Sequence, residues 1–246
     1  MSRPCAAAMA LTLMLALALS ACSGEAAVPD EDSTAPSDES AVAPEETTPS
    51  TGAGSHQVLV LGRSVMTDWM AHWGGDASQP ATWEGFTIAF REIEGPPGIA
   101  DSASAAIAEA PAGSTVVFKF CFVDFNGGDF AGELDTYLEY CARVADAADA
   151  AGVRLILGSA LPKVAGETTP ELVAEHREFG RRVEALAAER RAAGQDVAVL
   201  DLNAVLADDD GALVRRYAVS HDDSHLNDAA YDALDEALLP LLSEGS

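Results

Sequence analysis

Five short apolar segments alternate with segments of helical periodicity from residue 57 to the end of this chain. The most constraining is residues 115–123, a continuous apolar run broken only by Lys119, which is typical of a strand buried on both faces of a sheet. Strands that alternate with helices across short turns predict a parallel sheet with helices packed on both sides. We therefore expect an α/β protein built as a three-layer α/β/α sandwich with about five parallel strands.

The boundaries of these elements follow from apolar periodicity and from proline and glycine positions. Pro170 can start a helix, and Gly152 and Gly194 end the helices that precede them. The expected strands are residues 57–61, 86–93, 115–123, 153–157 and 197–202, and the expected helices are residues 64–73, 100–110, 132–151, 170–193 and 228–242. In parallel sheets the chemistry lies beyond the carboxyl ends of the strands, so Ser64, just past the first strand, is a candidate functional residue.

The first 22 residues resemble an export signal. Arg3 is followed by an apolar stretch over residues 6–18, which has the length of a signal-peptide core and is too short for a typical membrane span. It ends in Leu19-Ser20-Ala21-Cys22, which resembles the bacterial lipobox and implies cleavage after residue 21 and lipid attachment to Cys22. The alternative is an ordinary secretory signal with an incidental cysteine. The lipobox interpretation predicts a protein anchored to the cell membrane on its extracytoplasmic side, without spanning it.

The segment after the signal is acidic and poor in large apolar residues. Residues 23–55 carry eight Asp or Glu and no Lys or Arg. Such a composition cannot offset the entropy of ordering a chain, so we expect residues 22–55 to form a disordered, extended tether. The predicted organisation is thus a lipoprotein signal at 1–21, the tether at 22–55 and one folded domain at 56–246.

The charge of the domain limits its partners. Residues 56–246 contain 13 Lys or Arg against 32 Asp or Glu, a formal charge of −19. Nucleic acids and anionic lipid surfaces are polyanions, so we expect neither as a partner, and any contact with a membrane is through the lipid anchor only. Most of this charge is explained by solubility.

No residue spacing in the chain is typical of a metal or cofactor site. Cys121 and Cys141 are the cysteines of the domain; outside the cytoplasm they could pair, or they could remain two buried thiols. Their spacing fits neither zinc nor haem. The acidic run at residues 208–210 lacks EF-hand spacing and favours an exposed turn. We expect no metal and no organic cofactor.

The C-terminal segment carries a carboxylate and an imidazole on one short loop. Asp222 precedes His225 by three residues, and Asn227, a suitable N-cap for the last helix, and Tyr231 follow. A base and a group that orients it are what a serine nucleophile needs. Taken alone, a serine such as Ser64 at a strand-to-helix junction is more often only a helix cap.

The order of Ser64, Asp222 and His225 resembles that of the SGNH (GDSL-type) hydrolases, over about residues 57–242. The resemblance implies the flavodoxin-like SGNH fold and assigns Ser64 as nucleophile, His225 as general base and Asp222 as the residue that orients the imidazole. It also identifies a departure, since Arg63 stands where the first motif of the family, Gly-Asp-Ser, has an aspartate.

The same resemblance implies an oxyanion hole made by three hydrogen-bond donors. The first is the backbone N–H of Ser64, and the second is a glycine N–H, for which Gly98 is preferred to Gly95. The third, an asparagine side chain of a Gly-x-Asn-Asp motif, aligns with Val123, so Asn126 is the candidate substitute. The region around Asp124 resembles a divergent bacterial subgroup with a Lys-Phe-Cys-Tyr-Val-Asp motif.

These features favour an extracytoplasmic serine esterase that acts on a carboxylic ester, with an O-acetylated envelope glycan as one class of substrate. The main alternative is a catalytically weak or inactive relative that binds such a glycan, and a third is acyl transfer to a sugar hydroxyl. A set of aromatic residues could line the cleft or simply belong to the core: Trp69, Trp73, Trp83, Phe86 and Phe125.

Overall fold

The structure is a computed structural model that describes residues 56–128 and 130–244. The predicted signal, the lipidation site at Cys22 and the acidic tether lie outside the described residues, so these expectations stay predictions.

A six-stranded sheet forms the centre of the domain. Its strands lie in the order β2-β3-β1-β4-β5-β6, and all pair in parallel except β2, a short antiparallel edge strand. The strands are β1 His56–Gly62, β2 Ala81–Trp83, β3 Phe86–Glu92, β4 Thr115–Phe118, β5 Arg154–Gly158 and β6 Val197–Leu200. The five predicted parallel strands are confirmed, and β2 is an addition that the sequence pattern did not indicate.

In the described part of the chain, six α-helices cover the sheet. They are α1 Ser64–His72, α2 Ile99–Ala108, α3 Phe130–Ala151, α4 Pro170–Ala192, α5 Leu202–Leu206 and α6 Asp228–Ser243. Helices α1, α5 and α6 share one apolar core with the sheet, and α2, α3 and α4 share another. The predicted three-layer α/β/α sandwich is confirmed. Thr169 caps α4 by accepting a hydrogen bond from the N–H of Leu172 at 3.2 Å.

The continuous apolar runs of the sequence arise because both faces of the central strands are buried. In β4, Val117 packs with the α1, α5 and α6 layer, whereas Val116 and Phe118 pack with the α2, α3 and α4 layer. Successive side chains of a strand point to opposite faces, so no position of a central strand is left for a polar residue. Full burial of each such side chain contributes roughly 1.5–3 kcal/mol of hydrophobic free energy.

Strand β4 ends earlier than its apolar run predicts. The run continues to residue 123, but the strand stops at Phe118, and Phe122–Asp124 forms a single 3₁₀ turn. Phe120 and Phe122 remain buried, so the run reflects burial beyond the strand and not a longer strand.

The aromatic residues proposed for the cleft belong mainly to the core. Trp69 and Phe125 are fully buried. The indole N–H groups of Trp69 and Trp73 donate to Oδ1 of Asp235 at 2.7 and 3.0 Å, which ties α1 to α6. Burial raises the pKa of Asp235, whereas these hydrogen bonds lower it.

Cys121 and Cys141 are separate buried thiols. They belong to cores on opposite sides of the sheet. Burial raises the pKa of Cys141 to about 12, so this thiol is inert at neutral pH. Within the described part of the chain, no helix combines the length and the apolar character needed to cross a membrane.

The strand order places a crevice at the carboxyl ends of β1 and β4. Reading the five parallel strands in chain order gives 2-1-3-4-5, the flavodoxin-like order, in which ligands bind where the direction of winding reverses. Here that point lies between β1, which leads to Ser64, and β4, which leads to Asp124.

Candidate active site

Ser64 is the first residue of α1 and is exposed to solvent. Gly62 permits the close approach of the helix, because a Cβ atom there would lie 2.3 Å from Cγ of the buried Met66. Arg63, in an extended conformation, is the N-cap residue of α1. Ser64 is therefore not the cap of this helix, and its hydroxyl is available for another role.

His225 faces Ser64 across the end of the sheet. Its Nε2 atom lies 3.3 Å from Oγ of Ser64, which is within hydrogen-bond reach. Phe122 packs edge-to-face against the imidazole, with 5.1 Å between ring centroids. The structure thus brings together the serine and the histidine that are 161 residues apart in the sequence.

The carboxylate partner of the imidazole is Asp223, and the assignment of Asp222 to this position is corrected. Oδ1 of Asp223 lies 2.7 Å from Nδ1 of His225 and also accepts the backbone N–H of His225 at 2.9 Å. Asp222 instead accepts a hydrogen bond from the hydroxyl of Ser220 at 2.5 Å and lies near the exposed ring of His221.

The physical reason for this correction is an unpredicted hairpin. Residues Ala218–Ser220 and Asp223–Leu226 form two antiparallel strands, β7 and β8. In a strand, residues two apart share a face, so Asp223 and His225 point the same way, whereas Asp222 lies before β8 in the turn. Ser224 and Leu226 are buried in alternation with their partly exposed neighbours, as in a strand. This alternation is too short to be recognised as a strand from the sequence alone.

Both ends of β8 are held in place. Asn227 caps α6, as expected, by accepting the N–H of Ala230 at 3.3 Å, and its Nδ2 donates to the carbonyl oxygens of Arg216 and Ala218. The buried hydroxyl of Ser224 donates to Oε2 of Glu167 at 2.7 Å and accepts the N–H of Val164 at 3.0 Å. The imidazole is therefore presented by a fixed element.

Hydrogen bonds also govern the ionisation of the acidic pair. The pKa of Asp223 is lowered, first by the backbone N–H of His225 and then by its ring. The pKa of Asp222 is lowered as well, mainly by the hydroxyl of Ser220. Asp223 is consequently ionised at neutral pH, the state in which a carboxylate can orient an imidazole and stabilise its charged form.

The predicted oxyanion donors are only partly assembled. The N–H of Ser64 stands at the N-terminus of α1, the positive end of the helix dipole. Gly98 packs against the carboxylate of Glu94, since a Cβ atom there would lie 1.9 Å from its Oε2 atom. Gly95 instead packs against the guanidinium of Arg63, the residue that precedes Ser64. The contacts thus place Gly95 beside the Ser64 turn, in preference to Gly98.

Asn126 is engaged elsewhere. Its Oδ1 atom accepts the N–H of Gly128 at 2.9 Å in a local turn, and the neighbouring Gly127 N–H donates to Oε2 of Glu175 at 2.8 Å. Among the described residues, neither Ser64 nor His225 is a contact of the Asn126 side chain, and the assignment of Asn126 as an oxyanion donor is not supported by the geometry. Val123, at the position aligned with the family asparagine, is 57% exposed.

The carboxylate of Asp124 is paired with Arg63. Nη2 of Arg63 forms a short ion pair with Oδ2 of Asp124, which also accepts the N–H of Cys121 at 2.8 Å. The negative charge next to the site is thereby neutralised. This pair joins Arg63, the departure from the first motif, to the residue that follows Val123. The two residues are 61 positions apart, and the sequence alone gives no sign of their contact.

A second cation lies beneath the site. Lys119 is almost completely buried, and its Nζ donates to the carbonyl oxygen of Phe120 at 3.3 Å. Burial lowers its pKa to about 8, with Arg63 acting in the same direction and Cys121 and Asp124 opposing it. Within residues 56–128 and 130–244, no group of three or more His, Cys, Asp or Glu is arranged to hold a metal ion.

Solved structures similar to this chain include lipolytic proteins of the G-D-S-L family. No family model and no curated protein matches the sequence. A GDSL-like lipase from Bacteroides thetaiotaomicron is similar in structure, with a TM-score of 0.57 at 17% identity over 78% of this chain and 90% of that one. A member of the lipolytic G-D-S-L family from Veillonella parvula has a TM-score of 0.50 at 14% identity, over 76% of this chain and 98% of that one. Taken with the strand order and the serine at the end of β1, these similarities show that the chain has the SGNH (GDSL-type) hydrolase fold.

Proposed function

We propose that this protein is a serine esterase that hydrolyses a carboxylic ester through an acyl-serine intermediate. The observation that carries the proposal is the chain of contacts from Ser64 through His225 to Asp223, with 3.3 Å at the first step and 2.7 Å at the second. The same three residue types in the same order of contact form the catalytic triads of unrelated serine hydrolases, which are recognised by geometry and not by sequence position. The hydrolase fold described above supports the same conclusion.

In the proposed reaction, Oγ of Ser64 attacks the ester carbonyl while Nε2 of His225 accepts the hydroxyl proton. The imidazolium is stabilised by ionised Asp223 and then protonates the leaving alkoxide, which departs as an alcohol. Water attacks the acyl-serine with His225 again as base, and collapse releases the carboxylic acid and restores the serine. Each proton that the imidazole takes is returned within the cycle, so the steps need no external cofactor.

We further propose that the substrate is an acylated polysaccharide of the cell envelope or its surroundings. Ser64 and Val123 are exposed, and the side chain of His225 is 36% exposed, so the nucleophile lies on an open surface that a large polymer can reach. The lipobox-like segment before Cys22 would keep the domain at the outer side of the cell membrane, close to such polymers. A short O-acyl group suits an open site, since no deep apolar tunnel is required to hold it.

A fluorophosphonate probe tests this proposal directly. The probe mimics an ester and traps only an activated hydroxyl, so the wild-type chain should be labelled at Ser64 and should hydrolyse a short-chain ester such as p-nitrophenyl acetate. Labelling should be lost in Ser64→Ala and in His225→Ala, because an unassisted serine hydroxyl is a poor nucleophile at neutral pH. A folded wild-type chain that neither labels nor hydrolyses any short-chain ester would overturn the esterase and favour the glycan-binding alternative.

The two adjacent aspartates offer a matched comparison for the orienting role. Asp223→Asn removes the carboxylate on Nδ1 of His225 and should slow labelling by on the order of 10²–10⁴-fold. Asp222→Asn changes an exposed carboxylate that bonds Ser220, and should alter the rate by about twofold or less. Equal losses in the two variants, or the larger loss in Asp222→Asn, would contradict the register that β8 imposes.

A further inference from the structure

The proposed esterase lacks one hydrogen-bond donor for the oxyanion that forms during acyl transfer. Val123 occupies the position of the family asparagine and has no side-chain donor, and Asn126 is committed to its local turn. Loss of one such donor typically costs 10²–10³-fold in kcat. An active site of this kind would therefore need a replacement from another part of the chain.

Arg63 contacts the residue that follows Val123, from which that donor is missing. It directly precedes Ser64, and its guanidinium packs on Gly95 of the loop after β3 and pairs with Asp124 of the loop after β4. A Cβ atom at residue 95 would lie 2.6 Å from Nη1 of Arg63, so a larger residue there would displace the guanidinium from this position. The three loops that meet at the carboxyl ends of β1, β3 and β4 thus converge on one side chain.

The guanidinium is held rigidly by Asp124. The Asp124 side chain is only 7% exposed, its Oδ2 atom also accepts the N–H of Cys121, and its carbonyl oxygen accepts the hydroxyl of Tyr137 at 2.6 Å. A fixed donor is what an oxyanion hole requires, because a preorganised dipole costs no reorganisation when the charge develops.

Most of the donors of Arg63 remain available. A guanidinium has five N–H groups, and the ion pair with Asp124 engages Nη2. Over the described part of the chain, no second hydrogen bond of this guanidinium is found. Its side chain is 25% exposed and so reaches the surface on which Ser64 and Val123 are also exposed.

The local charge favours an anion at this place. Arg63 and the buried Lys119 carry two positive charges, against one negative charge on Asp124, and these groups interact with one another. Lys119 lies behind the Ser64 turn, with Nζ 3.9 Å from the position of a Cβ atom on Gly62. Positive charge placed beside the Ser64 turn stabilises an oxyanion that develops there.

We propose that Arg63 supplies the oxyanion donor that is missing at Val123, where the Gly-x-Asn-Asp motif of the family has its asparagine. It would act together with the backbone N–H groups of Ser64 and Gly95. As Oγ of Ser64 bonds to the carbonyl carbon, the electron pair of the C=O double bond moves to oxygen, and this oxyanion accepts hydrogen bonds from the guanidinium. When the tetrahedral intermediate collapses, the pair re-forms the C=O bond and the alkoxide leaves with the proton from His225. This role rests on the esterase proposed above.

The test combines loss of the arginine with restoration of the family asparagine in the full-length chain. Arg63→Met should lower kcat for p-nitrophenyl acetate by on the order of 10²–10³-fold with little change in KM, since the bond forms only in the transition state. Val123→Asn introduced into Arg63→Met should recover at least about tenfold of that loss. If Arg63 merely held Asp124 in place, an amide at residue 123 would not restore the kcat of Arg63→Met.

The matched control is Arg143→Met, which removes an exposed Arg–Asp pair between α3 and α2 and should leave kcat unchanged. If circular dichroism shows that Arg63→Met does not fold, Arg63→Lys takes its place. This variant keeps a cation for Asp124 but lacks the planar guanidinium, and we expect its kcat to fall tenfold or more. Binding of a phenylboronic acid, whose tetrahedral adduct on Ser64 carries an oxyanion mimic, should weaken in parallel with kcat.

The outcomes separate the two proposals. An active wild type with Arg63→Met within threefold of its kcat, a loss confined to KM, or no rescue by Val123→Asn would overturn the donor role and leave the esterase standing. A wild type that is neither labelled at Ser64 nor active overturns the esterase, and the donor role with it.

Discussion

Replacing Lys119 by methionine should stabilise the protein at neutral pH. Lys119 is 3% exposed, and burial lowers the pKa of its ammonium from 10.5 to about 8. At 1.36 kcal/mol per pH unit, this difference corresponds to roughly 3 kcal/mol of unfavourable free energy in the folded state at pH 7. Methionine removes that cost at similar volume but loses the hydrogen bond to the carbonyl oxygen of Phe120, which contributes about 1 kcal/mol. We expect a net gain of about 1–2 kcal/mol, or about 2–8 °C in Tm for a domain of this size.

The dependence of this gain on pH identifies its cause. Below about pH 8 the lysine is protonated in both the folded and the unfolded chain, so the full penalty is present and the variant has its largest advantage. Between pH 8 and 10.5 the unfolded chain still binds the proton that the folded chain has released, so the wild type gains stability relative to the variant as the pH rises. The difference should vanish between about pH 9 and pH 9.5, and at pH 10.5 the wild type should be more stable by about 1 kcal/mol, the contribution of its hydrogen bond to Phe120.

Urea unfolding at 25 °C between pH 6 and pH 10.5 measures both quantities. Lys163→Met is the control, because residue 163 is the other lysine of the domain and lies only partly buried. A Lys119→Met variant less stable than the wild type at pH 7, or an advantage that does not change with pH, would refute the reasoning. We also expect this variant to lose esterase activity, since the charge behind Ser64 would be gone; proteins often retain such a destabilising group at a functional site.

Two further predictions concern Asn126 and Cys22. Asn126→Ala should leave kcat within about twofold of the wild type, because the Asn126 side chain serves a local turn; a 10²-fold loss would restore it as an oxyanion donor. Cys22→Ala should move the protein out of the detergent phase in a phase-partition assay, because the acyl chains that hold it at the membrane would not be attached; unchanged partitioning would rule out the anchor.

The architecture of the domain could be read from local pattern. Burial on both faces of β1, β4 and β5 leaves a continuous apolar run, and amphipathic helices separate these runs, so the layers and their order along the chain follow from periodicity. Ser64 and His225 could also be identified as candidates from the sequence, since Ser64 follows the first strand and His225 precedes a capped helix. These are properties of neighbouring residues, which sequence records directly.

The register of the strands and the contacts between distant residues were decided only by the tertiary structure. Whether Asp222 or Asp223 meets the imidazole is decided by where β8 begins, and a shift of one residue in a strand moves a side chain to the opposite face. The pairing of Arg63 with Asp124, and the burial of Lys119 beneath them, arise from the packing of loops that the sheet brings together at the carboxyl ends of β1 and β4. Local periodicity indicates which residues are buried, but distances between segments are determined only when the strands pair.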